Sequence, residues 1–174
     1  NILLKIKKLK NKNDNMNYKK HFLDRQKKEI QNFGKLNYKK IFKKINYLVC
    51  KSNELNSKKV YNYVKQYKPD FTFIFGVDLI KEPLINLIKK KNLNLHLGLS
   101  PWYKGSATLF WPFYFLQPNY AGATFHEINN KIDEGPILHQ SIPKLLNGQG
   151  IHDVANNVIK VSKKDLKKII EKII

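Results

Sequence analysis

A chain of 174 residues with 33 lysines and arginines against 13 acidic residues carries a formal charge of +20, so a polyanionic partner is the first thing to weigh. Composition argues against it: Arg25 is the only arginine, whereas phosphate and base recognition draws on the planar arginine fork, and Lys/Asn/Ile-heavy usage reads as coding bias on a solvated surface. The single cysteine, Cys50, excludes an internal disulfide and fits a reducing cytoplasm, and no apolar run nears the roughly 18–20 residues that span a bilayer.

This length suits one domain with a real core. The chain opens on Asn1, not Met, so a piece of a longer frame is expected. Its first stretch, NILLKIKKLKNKNDN, is too short in apolar residues and too broken by lysine for a signal-peptide core. Composition divides the chain into a basic, helix-containing leading segment, 1–45, and a body, 46–174. In the leader, 16–34 reads as a charged helix that Gly34 stops. NYLVC (46–50) reads as a short strand. Residues 57–67 place Val60, Tyr63, Val64 and Tyr67 at helical spacing, with Ser57 as cap. DFTFIFG (70–76) is a buried strand. A helix over 82–91 starts near Pro83 and ends in lysines that complement its dipole.

LNLHLG (93–98) alternates as a strand, followed by the loop LSPWYKGSA. TLFWPFYFLQ (108–117) reads as a buried helix that Pro112 starts or kinks. AGATFHEI (121–128) and PILHQSIP (136–143) are strands around the loop NNKIDEG, and the end of the chain is amphipathic helix in two pieces. Alternation of strand and helix predicts an α/β domain with a mostly parallel central sheet flanked by helices. Sites in such sheets form where loops leave the strands' carboxyl ends.

Three segments could carry chemistry. Asn94 and His96 lie two apart on one strand and share a face. An amide donor beside an imidazole suits acyl-type transfer, where one bonds a developing oxyanion and the other moves or holds a proton. A lone Asn-x-His is more often structural. The loop at 99–108 brings Lys104, Gly105 and Ser106 toward a helix amino terminus, a setting for a substrate anion, although an ordinary strand-to-helix connection looks the same. Asp133 sits in a polar loop between apolar strands, where a carboxylate can orient an imidazole and favour its charged form. A simple turn also selects Asp and Gly. His126, in a strand, packs near this region; His139 and His152 read as structural or exposed. Neither metal-ligand spacing nor a Gly-rich phosphate loop is present, so no metal is expected.

Taken together, N-L-H-L-G-L-S-P-W-Y-K-G (94–105), G-A-T-F-H (122–126) and D-E-G-P-I-L-H-Q (133–140) resemble the folate-dependent formyltransferase family. That family includes glycinamide ribonucleotide, methionyl-tRNA and sugar-nucleotide enzymes, and its signature runs Asn-x-His-Pro-Ser-x-x-Pro-x-Tyr-Arg-Gly, Gly-x-Thr-x-His and Asp-x-Gly-x-Ile. The likeness covers about residues 70–143. Leu97 and Gly98 replace its Pro-Ser, Lys104 replaces its arginine, and its first strand and glycine-containing turn are not legible in residues 1–45. The resemblance implies a Rossmann-like formyltransferase fold with a missing or degraded first strand. It also implies 10-formyltetrahydrofolate as donor and an amine as acceptor. Catalytic roles fall on Asn94, His96 and Asp133. Folate contacts fall on Phe75, Gly76, Val77, Asp78, Leu79 and Ile80 and on Ile128, Asn129 and Gly135; substrate contacts fall on Lys104, Gly105 and Ser106.

Within that class, the acceptor is a small-metabolite amine, with an amino-sugar nucleotide as first choice. Methionyl-tRNA formylation and hydrolysis of formyl-folate are variants. Readings of another class are a non-catalytic remnant, against which the joint presence of Asn94, His96 and Asp133 argues, and a basic nucleic-acid-binding module.

Overall fold

The computed structural model describes residues 12–35, 37, 42–88, 91–129 and 131–173. Residues 1–11, on which the leader reading and part of the missing-first-strand expectation fall, lie outside the described residues. So do Lys89 and Lys90 at the end of the 82–91 helix, and Asn130.

Helix α1 spans Lys12–Phe33. Gly34, at φ +72°, ends it, and its N–H reaches the Ile30 carbonyl at 2.8 Å; the left-handed backbone is open to glycine without a Cβ penalty. Helix α2 spans Lys58–Tyr67, where the Ser57 hydroxyl accepts from the Val60 N–H as expected of a cap. Strand β1 (Thr72–Phe75), helix α3 (Leu84–Ile88) and strand β2 (Asn92–His96) follow. A single helical turn, α4 (Trp111–Tyr114), precedes β3 (Ala123–His126) and β4 (Ile137–Ser141), and helix α5 (Ile151–Ile173) closes the chain.

Five of the sequence expectations need correction. The 70–76 strand is not buried throughout: of β1 only Ile74 is buried, while Phe73 and Phe75 are exposed, because the alternation turns both to the side opposite Ile74, which is left uncovered at this strand. Among the described residues the sheet has four strands in the order β1-β2-β3-β4, and only β1 and β2 are parallel. The sheet is mixed rather than mostly parallel. Parallel neighbours need a long crossover, whereas the β3–β4 connection holds no helix and the β2–β3 connection holds only α4 and a 3-10 turn. NYLVC forms no strand: Tyr47 and Val49 are exposed, and among the described residues no strand pairs with it. The 108–117 helix shrinks to α4, because the Thr108 hydroxyl bonds the Leu97 carbonyl and Ala107 and Leu116 both adopt positive φ. The terminal helix is one piece, since no glycine or proline interrupts 151–173.

Strand alternation separates two faces. Leu93, Leu95, Ala123 and Phe125 lie on one, and α5 packs there through Val154 and Val158, with Leu97, Leu109 and Phe113 alongside. Burying a side chain as large as Leu93, Phe125 or Val158 contributes about 1.5–3 kcal/mol. Asp165 fastens α5 to β4 by accepting from the Ser141 hydroxyl at 2.6 Å and facing His139 at 3.2 Å. Helix α1 lies along α5, with Lys28 paired to Asp153 at 2.6 Å. Among the described residues no helix is long and apolar enough to cross a membrane.

Candidate active site

The opposite face of the sheet is polar. Asn92, Asn94 and His96 recur at every second position of β2. The pairing Asn94↔His126 and His96↔Thr124 sets two β3 residues on the same face. Thr124 is wholly buried, and its hydroxyl donates to the Gly98 carbonyl and accepts from the Ser100 N–H. It thereby ties the start of the 97–106 loop to the sheet. Gln140, from β4, reinforces that tie by donating to the Ser100 carbonyl at 2.7 Å.

Asp133 arrives on this face from the β3–β4 loop. Its carboxylate lies between two imidazoles: Oδ2 is 3.3 Å from His96 Nδ1, and Oδ1 is 3.4 Å from His126 Nε2. The remaining ring nitrogens define where the hydrogens sit. His96 Nε2 is 2.8 Å from the Tyr103 carbonyl and His126 Nδ1 is 2.7 Å from the Glu127 carbonyl. Carbonyls only accept, so those two nitrogens carry hydrogen. In a neutral His126, Nε2 is then an acceptor, and the Asn94 amide donates to it at 2.9 Å.

Burial pushes the Asp133 carboxyl up, but the His126 contact, the Gly105 N–H at 2.8 Å and the charges of both histidines together hold it below its ordinary value. The result is an anion, 13% exposed, beside imidazoles that are 7% and 2% exposed. Charges and dipoles act more strongly in such a water-poor place than at a surface.

Two glycines make this closeness feasible. A Cβ on Gly135 would stand 1.7 Å from the Glu127 carbonyl oxygen, so the loop folds against the end of β3 only without a side chain there. A Cβ on Gly98 would meet both His96 Nε2 and the Tyr103 carbonyl at 2.5 Å. Asp133 itself holds φ +49°, a strained setting for a side-chain-bearing residue that aspartate tolerates better than most.

The structure thus gathers Asn94, His96 and Asp133 into one cluster. Of the residues expected near the substrate, Gly105 bonds Asp133 directly, Lys104 pairs with Glu134 at 3.1 Å, and the Ser106 carbonyl accepts from the Trp111 indole. Lys104 and then Lys131 hold the Glu134 carboxyl below its usual range. The 76–80 loop leaves β1 beside the His96 end of β2 and is pinned by Asn56, which bonds the Leu79 carbonyl and the Lys81 N–H. Phe75, Val77, Asp78 and Leu79 are exposed, and the space around the Gly76 α-carbon is open. Asn129 bonds within its own loop, to the Glu134 carbonyl and the Lys131 N–H.

An apolar groove of about 340 Å³ lies elsewhere, between α2, β1 and α3, and of these residues only Ile80 lines it. It holds no carboxylate, imidazole or ammonium group, so the polar face of β2–β3 is the better seat for chemistry. Spacing singled out neither Tyr103, whose backbone carbonyl takes part, nor Asn92, whose side chain accepts from the Ile128 N–H at 2.6 Å. The alternation N-L-N-L-H held the signal for Asn92. Nothing in sequence marks a backbone carbonyl. Among the described residues, no group of three or more His, Cys, Asp and Glu side chains is disposed to hold a metal ion.

Comparison with known proteins bears on this arrangement. The model of the family described as "Formyl transferase" matches residues 6–170. The bifunctional polymyxin resistance protein ArnA of Wigglesworthia glossinidia brevipalpis is 33% identical over 87 residues, which cover 49% of this chain and 13% of that protein. Among solved structures, glycinamide ribonucleotide transformylase 1 from Geobacillus kaustophilus superposes with a TM-score of 0.63 at 19% identity, covering 75% of this chain and 72% of that one. A sugar N-formyltransferase from Shewanella sp FDAARGOS_354 gives 0.60 at 19% identity, covering 79% and 52%. At these identities the structures share the fold, and the chain spans only part of several relatives that it matches.

Proposed function

The chain belongs to the formyl transferase family, and from that premise we propose that it moves a formyl group from 10-formyltetrahydrofolate to a primary amine of a small metabolite. The donor supplies an electrophilic carbonyl carbon already bonded to nitrogen. One observation carries the reading: an amide, an imidazole and a carboxylate from two distant segments meet on one sheet face, with His96 3.3 Å from Asp133.

In this reading, Asn94 and His96 direct N–H groups at a carbonyl oxygen that gathers negative charge, which is the kind of interaction that strengthens toward a transition state. Their present partners, His126 Nε2 and the Tyr103 carbonyl, yield those hydrogens when an oxygen of greater charge arrives. Asp133, an anion at neutral pH, balances a charged imidazole and, through a water molecule, takes the proton that the attacking amine loses; that proton passes to the donor nitrogen as its bond to the formyl carbon breaks and tetrahydrofolate leaves. The exposed apolar residues at 75–79 and the 128–135 loop hold the donor's ring system. Residues 46–174 carry the chemistry, and 1–45 form a leading segment.

Because the Shewanella relative is named for sugars, amino-sugar nucleotides head the panel, followed by other small amines. The test is formyl transfer from 10-formyltetrahydrofolate to that panel by wild type and His96→Ala. Transfer by wild type that drops by about 10²–10⁴-fold in a folded variant supports the reading, and equal rates remove it.

A further inference from the structure

We propose that Asn92 is a positioning residue, which holds the β3–β4 loop at the register that delivers Asp133 to the histidines; this rests on the formyl-transfer reading above. Asn92 opens β2, is 7% exposed, and shares the polar face with Asn94 and His96. Continuing the antiparallel register Asn94↔His126 by two residues sets Asn92 opposite Ile128. At that point the main-chain ladder has ended: β3 stops at His126, its pairing with β4 is irregular at Phe125/His126, and the Glu127 N–H turns to Pro136. The Asn92 side-chain oxygen takes the place of the missing backbone acceptor and receives the Ile128 N–H at 2.6 Å.

That bond secures the first turn of the loop. Five residues on, Asp133 must lie within reach of His96, His126 and the Gly105 N–H at once, with a positive φ. The far side of the loop is held by Gly135 against Glu127 and by the Glu127 N–H on the Pro136 carbonyl. With both ends fixed, the carboxylate has little freedom, and angular precision is what rate depends on when groups must meet a reacting atom. Releasing Ile128 frees one end. An unpartnered N–H in this half-buried place is also unfavourable, so the loop moves to satisfy it.

The experiment compares wild type, Asn92→Leu and Asn92→Asp. Leucine keeps the volume without an acceptor, and aspartate keeps an acceptor oxygen at the same reach. Two readouts are taken: steady-state formyl transfer, and amide hydrogen exchange at Ile128. Asn92→Leu is expected to lower kcat at least tenfold with the amine KM within twofold, and to speed Ile128 exchange at least tenfold. Asn92→Asp is expected to restore both to within about threefold of wild type. Unchanged kcat in a folded Asn92→Leu, or equal losses in both variants, overturns the positioning role. If wild type transfers no formyl group, the proposed activity falls, and the anchor is judged by exchange alone: Ile128 protection that ignores position 92 overturns it, and protection that follows the acceptor supports it.

Discussion

The Asn94 amide nitrogen stands 2.9 Å from Nε2 of His126, across a strand pairing that sets the two residues directly opposite. That contact joins the two strands of the site through side chains as well as backbone. It also makes the amide's orientation depend on the imidazole: a neutral His126 accepts from Asn94, whereas a charged one turns a hydrogen toward Asp133, 3.4 Å away. His126 is thus expected to act through its neighbours, and its effect is open to measurement.

Replacing His126 by Phe keeps an aromatic ring in the same buried space but removes its contacts with Asn94, Asp133 and the Glu127 carbonyl. Hydrogen bonds to charged groups contribute about 1.5–3 kcal/mol, so formyl transfer is expected to fall roughly 10- to 150-fold in kcat. His126→Gln, which restores an amide near the Nε2 position, is expected to recover part of that loss. Equal rates for the Phe and Gln variants would show that only packing matters there.

Asp133→Asn preserves shape and one acceptor oxygen while removing the charge. The neutral amide no longer balances a charged His96 and cannot take up a proton. The expected fall in kcat is about 10²–10⁴-fold, with a changed pH–rate profile. A folded variant with wild-type kcat across pH 5–9 would exclude the carboxylate from the chemistry.

The same substitution tests a pH effect on stability. The Asp133 carboxyl is held below its ordinary value of 3.8 in the folded chain, so the unfolded chain binds that proton more readily. The stabilisation is therefore fully present above about pH 3.8, and it is lost as the pH falls through the lower native value. Urea titrations of wild type and Asp133→Asn should show the wild-type increment shrinking as pH drops below 3.8. An increment that grows with acid would contradict the charge contacts described above.

Gly135→Ala forces a methyl group to within 1.7 Å of the Glu127 carbonyl oxygen unless backbone shifts. Overpacking of this sort costs about 1–3 kcal/mol, and the shift displaces Asp133 two residues away. Both stability and kcat should drop. Gly148→Ala serves as the comparison, since that position has φ +81° and open space around it. It should show a stability loss of roughly 1–2 kcal/mol with kcat unchanged.

Several elements were legible because their signals are local. Ser57 as a cap, Gly34 as a stop, and apolar alternation in LNLHL each depend on residues within a few positions, and they formed as expected. The failures were equally instructive. NYLVC has the residues of a strand, but a strand exists only where a neighbour supplies hydrogen bonds, and among the described residues none pairs with it. The long apolar run 108–117 was cut to one turn by a tertiary bond from Thr108 to Leu97 and by positive φ at both flanks.

By itself, the order of residues determined which side chains could share a strand face, where the helices α1 and α2 stop and start, and which three segments resemble a formyltransferase. It could not determine strand direction, because direction follows from the connections packed between strands. Nor could it determine that Asp133 faces two imidazoles rather than one, that the Tyr103 carbonyl takes the His96 hydrogen, or that Asn92 bonds the loop at Ile128. Those contacts join groups that are distant along the chain, and only folding the β3–β4 loop back across the sheet brings them within reach of a hydrogen bond.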